Sequence, residues 1–137
     1  MPTLFESKCL KSIEVDKANQ YYCSIGGVLY NKDCTKLLTC PPTVQKIDIP
    51  KSVEIISERA FYGCCDLVDV IIPEGTVSIK REAFKKCGKL CFISIPDSVE
   101  SVAADAFEEC RLSKITILGY TVDNTKIRNL SKLNLRF

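Results

Sequence analysis

IPKSVEIISERAFYGCCDLVDVI (residues 49–71), IPEGTVSIKREAFKKCGKLCFIS (72–94) and IPDSVESVAADAFEECRLSKITI (95–117) are three successive statements of one pattern. Down the columns, Ile49-Pro50, Ile72-Pro73 and Ile95-Pro96 recur every 23 residues, and Ala60-Phe61, Ala83-Phe84 and Ala106-Phe107 keep the same step, as do Cys64, Cys87 and Cys110. A fixed period in this range belongs to a chain that coils, laying each turn on the last so that like residues stack. The third copy drops one residue between Cys110 and Leu112, so that Ile117, the counterpart of Ile72 and Ile95, arrives one residue early, which costs only a tighter loop.

Within each copy a Leu-x-x-Ile-x-Ile stretch has the apolar spacing of a strand: Leu67-Val70-Ile72, Leu90-Ile93-Ile95 and Leu112-Ile115-Ile117. Weaker copies lie on both sides. Leu10-Ile13-Val15 and Val44-Ile47-Ile49 predict two earlier strands, and Leu130-Leu133-Leu135 a last one, for six rungs. The sequence starts in mid-repeat at Leu4-Phe5, so a further turn is expected upstream of it, and an apolar first rung left open would invite pairing with another strand. Between Val15 and Ile49 the chain runs 11 residues longer than one period. The segment from Gly27 to Leu38 holds two apolar arms about Asn31-Lys32-Asp33 and predicts a β-hairpin. Cys34 falls where the turn calls for positive φ, a conformation glycine adopts more cheaply by about 1 kcal/mol. Pro41-Pro42 then keeps the chain extended as it rejoins the repeats.

Leu-x-x-Ile-x-Ile-Pro, followed by Val-x-x-Ile and Ala-Phe-x-x-Cys, resembles the BspA-like, or Treponema-type, leucine-rich repeat family. The segment from Leu10 to Asp16, with Asn19, Tyr22, Ser24 and Gly27 to Asp33, is similar to a spacer found among such proteins. The resemblance covers about residues 4 to 118. It implies a β-rich, right-handed solenoid with one parallel sheet on its concave side. It also implies short extended or helical pieces opposite, from Val53-Ile56, Thr76-Ile79 and Val99-Val102. Thr76 departs from the aliphatic pattern and reads as a small packing defect. Many relatives are surface proteins of bacteria and parasitic protists, some implicated in adhesion to host proteins. The expected layout is one domain over 1–137: a partial repeat (4–26), a hairpin insert (27–40), regular repeats (41–118) and a degenerate cap (119–137).

A composition of 46% hydrophobic and 26% charged residues is that of a folded globular chain. Nineteen basic and seventeen acidic side chains nearly cancel, so no chain-wide field selects nucleic acid or an acidic membrane. Lys114, Lys126, Arg128, Lys132 and Arg136 form a local basic excess, read as a solvated face. The first residues lack the basic and apolar regions of a secretory signal, and no apolar run is long enough to span a bilayer. Neither membrane insertion nor a definite compartment is therefore expected from the sequence itself, and cell-surface placement is implied only by the resemblance.

Nine cysteines would suit a disulfide framework, yet Cys64, Cys87 and Cys110 read as one buried rung per repeat, where a small thiol fills space without bonding. Free thiols are the expectation. Histidine is absent, which removes the commonest general base, nucleophile activator and metal ligand. Cys87-x3-Cys91 and Cys34-x5-Cys40 lack paired zinc knuckles, and no glycine-rich phosphate loop occurs. No enzymatic activity and no cofactor are expected.

What remains is a surface. If the strand aliphatics point inward, alternation turns the residues between them outward. One outward column is Ser12, Lys46, Asp69, Phe92, Lys114 and Lys132, and the next is Glu14, Asp48, Ile71, Ser94, Thr116 and Asn134. Phe92 and Ile71 are large apolar groups where the period requires none. Ringed by Lys46, Asp48, Asp69, Ser94, Lys114 and Thr116, they have the anatomy of a protein-binding hot spot, although mutual cover would also explain them. The expected function is non-enzymatic binding of a protein ligand on the concave face, by a monomer or a part of a longer array. Surface adhesion is the first biological reading. An intracellular scaffold and a structural spacer are the alternatives.

Overall fold

The computed structural model describes residues 9–110 and the strand backbone of residues 114–117. Nine strands follow in chain order. β1 (Tyr22–Ile25), β2 (Val28–Asn31) and β3 (Lys36–Thr39) form an antiparallel meander. β4 (Ile55–Ile56), β6 (Ser78–Ile79) and β8 (Ser101–Val102) are two-residue strands, one per repeat, from the Val-x-x-Ile part of the pattern. β5 (Asp69–Ile71), β7 (Phe92–Ile95) and β9 (Lys114–Ile117) come from the Leu-x-x-Ile-x-Ile part. No helix occurs among the described residues. The pieces opposite β5, β7 and β9 are thus extended, and the expected helical alternative is not realised.

Two sheets result. β5, β7 and β9 pair in parallel, Val70 opposite Ile93 and Ile93 opposite Ile115. The residue missing after Cys110 is absorbed in the loop: Phe92 pairs with Asp69, 23 positions earlier, and with Lys114, 22 positions later. The second sheet runs β1-β2-β3-β4-β6-β8. Its junction is the parallel pairing of β3 with β4, Leu37 opposite Ile56. The insert is therefore no separate flap, because its last strand is the first rung of the repeat sheet. The predicted hairpin is the β2–β3 part of the meander, and Cys34 has φ 59°, the left-handed geometry its turn was expected to need.

Two predicted strands are not formed. Residues 46–50 take part in no sheet pairing, and residues 10–15 likewise. Their backbone is held by isolated bonds instead. Cys40 N donates to Ala60 O (2.7 Å), Thr43 Oγ1 to Leu10 O (2.8 Å), and Ile13 N to Gly27 O (2.8 Å). A third predicted strand, at Leu130 to Leu135, lies outside the described residues.

The core is a stack of identical side chains. Phe61 and Phe84 have ring centroids 4.6 Å apart and nearly parallel planes, 5° from each other, and Phe84 and Phe107 follow at 5.2 Å and 11°. Ala60, Ala83 and Ala106, and Leu67 and Leu90, fill the same slots in successive units, all without exposed surface. The cysteine rungs are buried too. Cys87 Sγ donates to Phe61 O (3.1 Å) and Cys110 Sγ to Phe84 O (2.8 Å), so each thiol caps a carbonyl of the preceding unit. Cys65 is exposed while Cys64 is buried, within a run of turns. Thr76 is no defect: fully buried, its hydroxyl donates to Val53 O at 2.8 Å.

Between the sheets, two columns of backbone bonds join unit to unit in opposite senses. In the turn column Phe61 N donates forward to Ala83 O and Phe84 N to Ala106 O, both at 2.7 Å. Beside the short strands Val77 N donates backward to Glu54 O (2.7 Å) and Glu100 N to Val77 O (2.8 Å).

Candidate protein-binding face

The β5-β7-β9 sheet carries six of the eight predicted binding residues: Asp69, Ile71, Phe92, Ser94, Lys114 and Thr116. On β5 the alternation is complete, with Asp69 and Ile71 exposed and Val70 buried between them. Ile71 shows 65% of its surface, a large exposure for an aliphatic side chain on a strand. Phe92 on β7 lies opposite Asp69 and is half-buried. Ser94 was expected outward, but it is buried. A short side chain on the middle strand, with Ile71 opposite in register, is shielded rather than presented. Lys114 and Thr116 pair with Phe92 and Ser94 along β9. Lys46 and Asp48 are exposed just before Ile49, and Asp48 shares a hollow with Asp69 and Ile71 of β5.

Two hollows continue this face. One, of about 360 Å³, is lined by Ile47, Asp48, Lys51, Asp69, Ile71 and Glu74, with Pro73 and Pro96 at its end. The other, of about 300 Å³, is lined by Ile25, Tyr30, Val44, Lys46, Ile47 and Asp48. They share Ile47 and Asp48, which line both hollows. Asp48, Asp69 and Glu74 outnumber Lys51 around the first hollow, which makes its rim acidic. Lys51 and Glu74 escaped the sequence reading although they share one repeat position, directly after Ile-Pro. That column marks the rim, and a search extending beyond the strands would have found it.

A second cluster lies among the turns. Glu82, only 5% exposed, receives Arg59 Nη2 on Oε1 (3.0 Å) and Lys85 Nζ on Oε2 (2.9 Å). Arg81 pairs with Asp105 at 3.2 Å, and Asp105 Oδ1 also accepts the Glu82 backbone N–H at 3.1 Å. Hydrogen bonds from Lys85 and Arg59 hold the Glu82 carboxyl below the usual carboxylate range. These charges are engaged with one another, and the cluster ties repeats together. Burial pushes the Cys87 thiol well above its ordinary range, so it stays protonated and serves as a donor rather than a nucleophile. Among the described residues no three His, Cys, Asp or Glu side chains are grouped to hold a metal ion, and no helix is long and apolar enough to cross a membrane.

Two short parallel strands per 23-residue unit, one in each sheet, laid over columns of leucine and phenylalanine, are the build of a leucine-rich repeat protein. The match of sequence to family narrows this further. The chain belongs to the BspA-type leucine-rich repeat family, whose pattern fits residues 3–134 in six copies. A leucine-rich repeat protein from Eubacterium ventriosum ATCC 27560 superposes on 80% of the chain with a TM-score of 0.75 and 28% identity. The pneumococcal vaccine antigen PcpA does so over 80% with a TM-score of 0.69 and 27% identity. The chain spans only 30% and 29% of these two proteins. No curated protein matches it.

Proposed function

We propose that this chain is a non-enzymatic protein-binding module, coiled as a right-handed solenoid with the β5-β7-β9 sheet on its concave side, and that it serves in surface adhesion. The observation that carries this reading is Ile71. A mostly exposed aliphatic group stands between half-buried Phe92 and an acidic-rimmed hollow, where stacking of the repeats does not require it. Apolar anchors inside a polar rim are what protein interfaces use for affinity and orientation. Lys46, Asp48, Asp69, Lys114 and Thr116 form the rim of the proposed site, and buried Ser94 sets its floor. Similarity to a vaccine antigen supports display to a host.

A scaffold role in a reducing compartment is the second reading, favoured by the thiol donors of Cys87 and Cys110 in the core. The test is surface plasmon resonance of the intact module and an Ile71→Ser/Phe92→Ala variant against a panel of purified extracellular host proteins. A ligand bound by the module and weakened at least tenfold by the variant, with unchanged thermal stability, supports the reading. Equal binding by both would show that the sheet face is a spacer.

A further inference from the structure

Cys23 and Cys34 stand 11 residues apart in sequence, yet their sulfurs lie 3.5 Å from each other. Cys23 sits on β1 opposite Tyr30, and Cys34 closes the turn between β2 and β3. Both are partly exposed, whereas Cys64, Cys87 and Cys110 are buried. The turn is braced. Asn31 Oδ1 accepts the backbone N–H groups of Thr35 and Lys36 (both 2.9 Å), Asn31 Nδ2 donates to Thr35 Oγ1 (2.8 Å), and Ser52 Oγ donates to Cys34 O (2.7 Å). In this frame Cys34 holds φ 59°, where glycine is the cheaper residue. Its sulfur meets that of Cys23, which supplies a reason for a cysteine to occupy a strained position.

We propose that Cys23 and Cys34 are a modification site, an oxidisable thiol pair that a small-molecule disulfide of the glutathione class converts into a staple across the meander. The sulfurs must approach by roughly 1.5 Å to reach the bonded distance, within the scope of side-chain rotation. In the first step the Cys23 thiolate attacks the disulfide and expels one small thiol, leaving a mixed disulfide. Cys34 then attacks the Cys23 sulfur and expels the second. Two electrons pass from the protein to the reagent, and the two thiol protons end on the two released thiols. Burial and the adjacent Cys23 push the Cys34 thiol up to about 11, so the second step quickens as pH rises. The staple would fix β1 to the turn that leads into the first rung of the repeat sheet. This pair stands apart from the proposed binding face, and the two readings fail separately.

The test is to incubate the native protein with glutathione disulfide at pH 8, alkylate the remaining thiols and digest with trypsin without reduction. Cleavage after Lys17, Lys32 and Lys36 puts Cys23 in peptide 18–32 and Cys34 in peptide 33–36. The expected product is these two peptides joined by a reducible bond, as the main disulfide species. Cys34→Ser should instead accumulate the glutathione adduct on Cys23. Recovery of Cys23 and Cys34 in separate alkylated or glutathionylated peptides from the wild-type protein, or their linkage chiefly to Cys9 or Cys65, overturns the proposal.

Discussion

Truncating Phe84 to alanine removes the middle ring of a three-ring stack and shows how strongly the repeats depend on one another. Phe84 has no exposed surface and faces a ring on each side, at 4.6 and 5.2 Å. A buried Phe→Ala change costs about 3–5 kcal/mol through lost burial and the cavity left behind. Each ring contact adds about 0.5–1.5 kcal/mol beyond area. Phe61, equally buried, stacks on Phe84 alone among the described residues. We therefore expect Phe84→Ala to lose about 5 kcal/mol and Phe61→Ala about 4 kcal/mol. The double variant should fall short of their sum by about 1 kcal/mol, the coupling of rings in contact. Urea denaturation followed by far-UV circular dichroism measures all three, with the m-values checked because a repeat array can unfold in parts. Additive losses, or a Phe61→Ala cost equal to that of Phe84→Ala, would refute the stacked-ring account.

The other predictions concern single bonds and backbone strain. Lys86 and Gly63 occupy one repeat position with φ 63° and 71°. Lys86→Gly should stabilise by about 0.5–1 kcal/mol, and Gly63→Ala, whose new methyl meets nothing within 4 Å, should destabilise by a similar amount, both read by thermal melting. Glu82 has its carboxyl held low by Lys85 and Arg59, so its contribution is present above the unfolded value near 4.5 and lost as pH falls through the folded value. Glu82→Gln should accordingly lower Tm at pH 7 and flatten its decline below pH 4.5, and an unchanged acid limb would count against the ion cluster. Thr76→Val keeps the shape but leaves Val53 O without its donor, at a cost of about 1 kcal/mol in denaturant titration, whereas Thr76→Ser should keep the bond.

The stacked core was legible because period and residue type agree in column after column. Phe61, Phe84 and Phe107 needed only counting. The outer strands misled for a physical reason: Val44-Ile47-Ile49 has the right spacing, but spacing reports which side chains face inward and not whether the backbone meets a partner. The first meander strand, β1, was hidden because Tyr22 and Ile25 lie outside any apolar alternation. Asn19, whose Oδ1 accepts the backbone N–H groups of Tyr21 (2.8 Å) and Tyr22 (3.0 Å), was the turn signal that could have exposed it. Reading units singly also concealed the ion cluster. Arg59, Glu82 and Asp105 occupy one repeat position, and their complementary signs show only when the copies are aligned. Of the candidate face, Ile71 and Asp69 follow from alternation alone, while the covering of Ser94 depends on the size of a neighbour one strand away.

The opposed backbone columns bear on how such a chain can grow. In an α-helix every amide points one way, and partial charge gathers at the two ends. Here forward-pointing donors among the turns are answered by backward-pointing donors beside the short strands, so the two contributions oppose along the stacking axis. Lengthening the protein by whole repeats therefore builds up little end charge, and each added unit is judged by the apolar surface it covers. Duplication of the 23-residue module is in this respect electrically neutral, so the number of copies is not limited by a dipole growing along the stack.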